Sequence, residues 1–269
     1  MRIGLMGFGK AGRAVASVLL ESPKVELSWV IRRSKLLTHR SVSEFLGIPS
    51  DNPGFILSKE ELNAEQLFDQ YPVDMVVDFS SEFGIDYYGK AASDRKIAII
   101  SAISRYPKEK IDLLLTLSKK TQVLYSPNIT IGINFLIIAA KILKNIAPYT
   151  DIAILEEHYR TKPEVSGTAK IIAHQLDMPE DSIKSIRAGG IVSLHEILFG
   201  FPYQTVRLKH EAITREAYGN GILFIVENLQ GKPIGFYKME DLLLPYFKLT
   251  ESEEDLLKTR KTPWWHFWE

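Results

Sequence analysis

The apolar positions of the first 128 residues form short runs that alternate with segments of helical spacing. The predicted strands cover residues 2–6, 25–31, 73–79, 96–100 and 122–125, and the predicted helices cover residues 13–20 and 113–119. Short apolar runs that alternate with helices are typical of buried parallel strands with helical crossovers. We therefore predict an α/β fold that begins with a Rossmann-like, doubly wound parallel sheet.

The pattern changes after residue 128. Helices are predicted over 134–145, 166–176, 239–244 and 253–257, and strands over 152–155, 183–187, 191–199, 204–211 and 222–226. These strands alternate less regularly with helices, which predicts an α+β region with a mixed or antiparallel sheet. We expect one domain from residues 1–128 together with 239–269, and a second domain from residues 129–238.

A glycine-rich turn joins the first predicted strand to the first predicted helix. It reads Gly7-Phe8-Gly9-Lys10-Ala11-Gly12. Glycines at this spacing permit a tight turn, approach of a pyrophosphate to the backbone, and close packing of the helix on the sheet. The free N–H groups of the helix N-terminus attract phosphate. The motif indicates a dinucleotide site, and a plain strand–helix turn is the alternative.

The residues after the second predicted strand bear on the choice of dinucleotide. An acidic side chain usually binds the ribose of NAD at this place, whereas this chain has Arg32-Arg33-Ser34. Two guanidinium groups favour a 2′-phosphate through charge-assisted hydrogen bonds. We predict NADPH as the cofactor, with NADH possible; the alternative is that both arginines are solvated surface charges.

Candidate chemistry lies in the segment from Glu156 to Lys170, where a histidine, an arginine and a lysine occur within five residues. Lys162 precedes a proline, which biases it to an extended backbone. Ser166 suits a helix N-cap, and the following N–H groups could bind a carboxylate. A capped helix after a solvated charged loop explains the same residues, so this segment alone does not establish a site.

Five motifs, in order, make the chain resemble the 4-hydroxy-tetrahydrodipicolinate (dihydrodipicolinate) reductases of lysine biosynthesis. The segment 156–170 resembles the family signature Glu-x-His-His-Arg-x-Lys followed by Ser-Gly-Thr-Ala. The other matching segments are the glycine turn, Asp78-Phe79-Ser80, the segment 126–134, and the segment 187–195. The resemblance covers nearly the whole chain.

The resemblance implies a function and a set of site residues. A hydride from NAD(P)H would reduce 4-hydroxy-tetrahydrodipicolinate, and His158 and Lys162 would be catalytic, with Lys162, or His158 with it, supplying the proton. The implied cofactor-binding residues are Gly7, Gly9, Lys10, Ala11, Gly12, Arg32, Arg33, Phe79, Ser101, Ile103 and Asn128. The implied substrate-binding residues are Tyr159, Arg160, Ser166, Gly167 and Thr168. A homotetramer assembled through the sheet of the second domain is also implied.

The chain departs from the family pattern at three places. Tyr159 replaces the second histidine, and the segment between Lys162 and Ser166 is one residue shorter, with Glu164-Val165 in place of Ala-Pro. The family's Gly-Thr-Thr-Gly loop reads Ser101-Ala102-Ile103-Ser104 here. The alternatives are therefore a related reductase or amino-acid dehydrogenase with another anionic substrate, or a catalytically silent dinucleotide-binding sensor.

Composition and charge reduce the number of functions that the chain could have. The 33 basic and 33 acidic residues cancel, which disfavours nonspecific binding to nucleic acid or to a membrane surface. The chain has no cysteine, and its N-terminus shows no signal peptide, so we expect a cytoplasmic protein. No metal site is expected; His195 and His210 are interpreted as core or interface residues. The aromatic tail, residues 264–268, is expected to pack or to associate.

Overall fold

The computed structural model describes residues 1–248. The helix expected at residues 253–257 and the aromatic tail lie outside the described residues. Within these residues the chain forms two sheets, one of seven strands and one of four. The α/β class with a parallel sheet followed by a mixed sheet is thus confirmed.

All strand pairs of the seven-stranded sheet are parallel, in the order β11-β6-β5-β4-β1-β2-β3. Its strands are β1 (Arg2–Met6), β2 (Glu26–Arg32), β3 (Phe55–Ser58), β4 (Met75–Asp78), β5 (Ala98–Ser101), β6 (Gln122–Tyr125) and β11 (Gly235–Tyr237). The strand order reverses between β1 and β4, so a crevice forms there at the carboxyl ends of the strands.

Helices cover both faces of this sheet. They are α1 (Lys10–Glu21), α2 (Val42–Leu46), α3 (Ala64–Gln70), α4 (Gly84–Asp94) and α5 (Lys108–Leu117), joined later in the chain by α8 (Ala217–Leu229) and α9 (Met239–Leu243). One apolar core packs α1, α8 and α9 on one face, and a second packs α3, α4 and α5 on the other. Burial on both faces explains why the strands read as continuous apolar runs.

The second sheet is mixed, in the order β10-β9-β7-β8. Its strands are β7 (Asp151–His158), β8 (Ile183–Arg187), β9 (Ser193–Phe201) and β10 (Gln204–Ala212), and the helices α6 (Ile131–Ile146) and α7 (Gly167–Gln175) belong to the same region. Strand β7 pairs in parallel with β8 and antiparallel with β9. A third apolar core joins one face of the sheet to α6 and α7, so the start of α7 stands beside the end of β7.

Two expectations for the end of the second region are wrong. Residues 222–226 belong to α8, because this all-apolar run is buried in a helix that packs Gly219 against Val18 of α1. An apolar run of five residues does not distinguish a buried strand from a buried helix. The chain also returns to the parallel sheet before residue 239, since β11 pairs with β6.

Candidate active site

A cleft of about 620 Å³ lies between the carboxyl ends of the parallel strands and the N-terminus of α7. The parallel-sheet region contributes the predicted residues Ala11, Phe79 and Asn128. The second region contributes the predicted residues His158, Tyr159, Lys162, Ser166, Gly167 and Thr168. Residues that are distant in sequence are thus collected at the end of the sheet where ligands of this fold bind.

The glycine turn has the geometry that a dinucleotide phosphate needs. Gly7 has φ +94°, and a Cβ there would lie 2.7 Å from the carbonyl oxygen of Phe79. A Cβ at Gly12 would lie 2.0 Å from the carbonyl oxygen of Gly7. At Gly9, the N-cap of α1, no side chain caps the helix, and a Cβ would meet no atom within 4 Å. The helix N-terminus is therefore open to an anion.

The cationic side chains of the predicted dinucleotide site lie near this turn. Arg32 ends β2 and Arg33 is exposed immediately after it, with its backbone carbonyl accepting a 3.1 Å hydrogen bond from Ser58. Lys10 lines a second cavity of about 500 Å³ together with Arg13. The open helix end and the exposed cations fit NAD(P)H.

The loop after β5 meets the cleft through residues other than the two predicted. Ser101 is fully buried and its hydroxyl is hydrogen-bonded to that of Tyr106, and Ile103 is also buried. Ala102, Ser104 and Arg105 line the cleft instead. Alternation at the end of β5 turns Ala102 to the side opposite Ser101 and Ile103.

Glu156 forms the centre of the polar network behind the cleft. It lies on β7, is fully buried, and accepts a 2.5 Å hydrogen bond from Nδ1 of His158. Burial would raise its pKa, but hydrogen bonds from Arg187, Ser185 and His158 lower it to about 2. An ionised carboxylate only accepts hydrogen bonds, so the proton of neutral His158 resides on Nδ1, and Nε2 is the atom that can exchange a proton.

Arg187, at the end of β8, connects Glu156 to the loop that carries Lys162. Its two terminal nitrogens lie 2.9 and 2.6 Å from the two oxygens of Glu156, a bidentate pair. The same guanidinium donates to the backbone carbonyls of Lys162 and Glu164, at 3.1 and 2.8 Å. The buried carboxylate therefore fixes both His158 and the backbone at Lys162.

His195 supports the start of α7 from behind. It is buried on β9, and its Nε2 lies 2.8 Å from the hydroxyl oxygen of Ser166. Burial, followed by the charge of His158, lowers the pKa of His195 to about 3, so its ring is neutral. The two imidazoles meet edge to face, 5.4 Å between centroids. The sequence indicated a core or interface histidine, which agrees with this burial. It did not indicate the hydrogen bond between His195 and Ser166.

His210 faces His195 across the β9–β10 pair and lies away from the cleft lining. Its ring packs on Gly132 at the start of α6, and its Nδ1 is buried without a hydrogen-bond partner. Burial lowers the pKa of His210. His210 thus packs between β10 and the start of α6, away from the cleft.

Hydrogen bonds determine which groups at the N-terminus of α7 remain for a ligand. The hydroxyl of Ser166 accepts from the N–H of Ala169 and shares a hydrogen bond with Nε2 of neutral His195, while the backbone N–H of Ser166 donates to Glu156 at 3.3 Å. Thr168 donates its hydroxyl to Asn128. Nothing lies within 4 Å of a Cβ built on Gly167. The N–H groups of Gly167 and Thr168 are thus the donors available to a carboxylate.

The structure also separates Arg160 from the other predicted substrate residues. Arg160 is exposed and does not line the cleft, and its N–H donates to the carbonyl of Gly189. Cations that the sequence reasoning missed do line it: Arg105, Lys170 and Arg215. Glu156 and Arg187 lie inside the motifs at 156–170 and 187–195, but the sequence did not indicate that they pair with each other. No carboxylate lines this cleft among residues 1–248.

Residues 1–248 contain neither a candidate metal centre nor a candidate membrane span. No group of three or more His, Cys, Asp or Glu residues there could hold a metal ion. Within the same range, no helix is long and apolar enough to cross a membrane.

An open glycine turn at a strand-order reversal, facing a cleft with His158 and Lys162, is the arrangement of an NAD(P)-dependent oxidoreductase that also carries a mixed-sheet domain. The family models agree with this class. Residues 1–129 match the model of dihydrodipicolinate reductase, N-terminus, and residues 128–243 match that of dihydrodipicolinate reductase, C-terminus. The chain belongs to the dihydrodipicolinate reductase family.

Individual relatives support the same assignment. A 4-hydroxy-tetrahydrodipicolinate reductase of Caldanaerobacter subterraneus subsp. tengcongensis is 28% identical over 257 residues, covering 87% of this chain and 94% of the relative. A protein of the same name from Clostridium tetani is 30% identical, covering 63% and 75%. A dipicolinate-bound dihydrodipicolinate reductase from Paenisporosarcina sp. TG-14 shares the fold, with TM-score 0.73, 20% identity, and coverage of 90% and 98%.

Proposed function

We propose that this chain reduces 4-hydroxy-tetrahydrodipicolinate to tetrahydrodipicolinate in the diaminopimelate and lysine pathway, with NADPH as the preferred cofactor. One observation carries the proposal: the cleft brings His158, Lys162 and the open N-terminus of α7 to the same side as the glycine turn. Family membership supports the reaction type, and the chemistry of the cleft supports an anionic substrate.

The proton donor follows from the charge states in the network. Burial is the largest effect on His158 and, despite the opposing carboxylate of Glu156, its pKa is lowered from 6.5. The His158 ring is therefore neutral at pH 7, and its one N–H proton is held by the carboxylate of Glu156. We assign proton donation to Nζ of Lys162. His158, with Nε2 as its acceptor atom, would orient the donor or the substrate.

Two features of the cleft, a pair of free N–H donors and a set of cations, suit a dicarboxylate. The N–H groups of Gly167 and Thr168 would hold one carboxylate at the start of α7, because the other polar groups there are already engaged. Lys170 and Arg215 add positive charge to the lining. A cleft with several cations and no carboxylate among its described lining residues attracts a dianion.

The chain's own residues would hold the cofactor at the glycine turn. The N–H groups at the start of α1 would bind the pyrophosphate, with Gly9 leaving the space open. Arg32 and Arg33 would bind the 2′-phosphate, which is the basis for proposing NADPH over NADH. When bound, the nicotinamide supplies the hydride.

The proposal extends to the assembly and the location of the protein. A homotetramer built through the four-stranded sheet is proposed because that sheet and its β9–β10 turn carry exposed apolar side chains, Ile186 on β8 and Tyr203 in the turn. A cytoplasmic location is proposed because a reductase of amino-acid biosynthesis needs the cytoplasmic pool of reduced nicotinamide cofactor.

The deciding experiment follows NADPH and NADH oxidation with enzymatically generated 4-hydroxy-tetrahydrodipicolinate. The expected result is turnover, faster with NADPH. Absence of turnover with both cofactors would overturn the proposal and favour the alternative of another anionic substrate, which the altered loop at 101–104 leaves open.

Lys162→Ala tests the proton donor. General acid catalysis contributes about 10²–10⁴-fold, so kcat should fall by that order. Fluorescence titration should show NADPH binding unchanged, because Lys162 belongs to the other half of the cleft. Arg160→Ala is the matched control: it removes a cation from the same loop, outside the cleft, and should leave kcat near the original value. Equal losses in both variants would contradict the assignment of Lys162.

A further inference from the structure

Two loops face each other across the cleft and are joined by an ion pair. Nη2 of Arg105, in the loop after β5, lies 3.7 Å from Oε2 of Glu164, in the loop between Lys162 and Ser166. The first loop belongs to the parallel sheet and the second to the mixed sheet. Both side chains are largely exposed, at 76% and 72%. The pair therefore bridges the two regions at the open side of the cleft.

Side chains on either side of Arg105 anchor its loop to the parallel-sheet region. Ile103, two residues before Arg105, is buried in the parallel-sheet region. Tyr106, the next residue, is hydrogen-bonded to Ser101 at 2.9 Å, and its ring lies 5.4 Å from that of Tyr125. Arg105 thus projects from a fixed point on the cofactor side of the cleft, which it also lines.

The backbone on the Glu164 side is held through the buried network. Arg187 hydrogen-bonds the carbonyls of Lys162 and Glu164 and is itself paired with Glu156. Glu164 stands two residues after the proposed proton donor and two before the cap of α7. Any restraint on its side chain is therefore transmitted to Lys162 and to the carboxylate-binding start of α7.

We propose that Arg105 and Glu164 form a latch that positions the Lys162 loop against the cofactor side of the cleft. Neither residue touches the reacting atoms in this proposal; both are positioning residues. Glu164 stands where the family pattern has a small or cyclic residue, and Arg105 directly follows the altered 101–104 loop, so the contact joins one departure from the pattern to a neighbour of another. The predicted effect on KM rests on the proposed function.

An alternative role for Arg105 predicts the opposite change in substrate affinity for one variant. If Arg105 only attracted a substrate anion, Glu164 would compete with the substrate, and Glu164→Arg would improve binding. With a latch, Glu164→Arg breaks the contact and weakens binding. Exposed ion pairs are worth about 0.2–1 kcal/mol, so either single change should alter affinity by up to about fivefold.

The test is a charge-reversal cycle of Arg105→Glu, Glu164→Arg and the double variant. KM for the substrate is measured, together with the Kd of dipicolinate by calorimetry. Each single variant should raise both constants about two- to fivefold with kcat nearly unchanged, and the double variant should restore them. At about 1 M salt, where the Debye length is about 3 Å, the differences should shrink. Lys90→Glu, which breaks the surface pair with Asp94, is the control and should change neither constant.

Each outcome has one meaning. A lower KM and Kd in Glu164→Arg, or no restoration in the double variant, would overturn the latch. If the unmodified protein does not turn over 4-hydroxy-tetrahydrodipicolinate but binds dipicolinate, the proposed function fails, and the Kd cycle still decides the latch. If the unmodified protein turns over and every variant behaves like it, the latch alone is wrong.

Discussion

Removing the charge of Glu156 should cost stability in a pH-dependent way. The carboxylate is fully buried and receives hydrogen bonds from His158, Ser185, Arg187 and the N–H of Ser166. Its pKa falls from 4.5 to about 2, and each pKa unit is equivalent to 1.36 kcal/mol. Glu156→Gln should therefore lower the free energy of unfolding by about 3 kcal/mol at pH 7.

The sign of the pH dependence follows from the depressed pKa. The folded state releases the Glu156 proton more readily than the unfolded state, so the stabilisation is complete above pH 4.5 and is lost as pH falls towards 2. The difference between the two proteins should shrink from about 3 kcal/mol at pH 7 to about 1 kcal/mol at about pH 3. Urea unfolding at both pH values measures it.

Two results would refute this reasoning. A difference below about 1 kcal/mol at pH 7 would mean that the network does not stabilise the charge, and a difference independent of pH would mean that packing rather than ionisation is responsible. If Glu156→Gln does not fold, Ser185→Ala keeps the carboxylate and removes one hydrogen bond, 2.6 Å long. It should cost about 1–2 kcal/mol.

The cofactor site gives two further predictions. Gly9→Ala should leave the melting temperature nearly unchanged, because the new methyl group meets no protein atom. It should still weaken NADPH binding more than tenfold, because the methyl group fills the space left for the pyrophosphate. Gly12→Ala places a methyl group 2.0 Å from a backbone oxygen, so this variant should have both a lower melting temperature and weaker NADPH binding. Arg32→Ala and Arg33→Ala should raise the Kd of NADPH about tenfold and leave that of NADH within about twofold, by fluorescence titration. Equal effects on both cofactors would place the arginines outside the phosphate site.

Much of the first domain could be predicted from the sequence because its physical signals are local. Strands buried on both faces read as continuous apolar runs, and glycines between a strand and a helix have a conformational requirement that can be read directly. The same reasoning is wrong at residues 222–226, where an apolar run is equally consistent with a buried helix.

The part of the candidate site that could be predicted from the sequence is the set of residues that line the cleft. Family motifs located His158, Lys162 and the start of α7, all of which line the cleft. They did not give the pairing of Glu156 with Arg187 or of Ser166 with His195, since those partners lie about 30 residues apart and meet only when β7, β8 and β9 form one sheet. Side-chain direction in the 101–104 loop likewise depends on the fold.

Two of the three departures from the family pattern fall on one side of this arrangement. Tyr159 and Glu164 are exposed residues at the open side of the cleft, whereas Glu156, His158 and His195 are buried behind it. Substitutions at the open side change charge and shape where a substrate enters, and they leave the hydrogen bonds that orient His158 and Lys162 intact. The buried network therefore argues for retained reductase chemistry, and the substrate's outer contacts are where this chain should differ from its relatives.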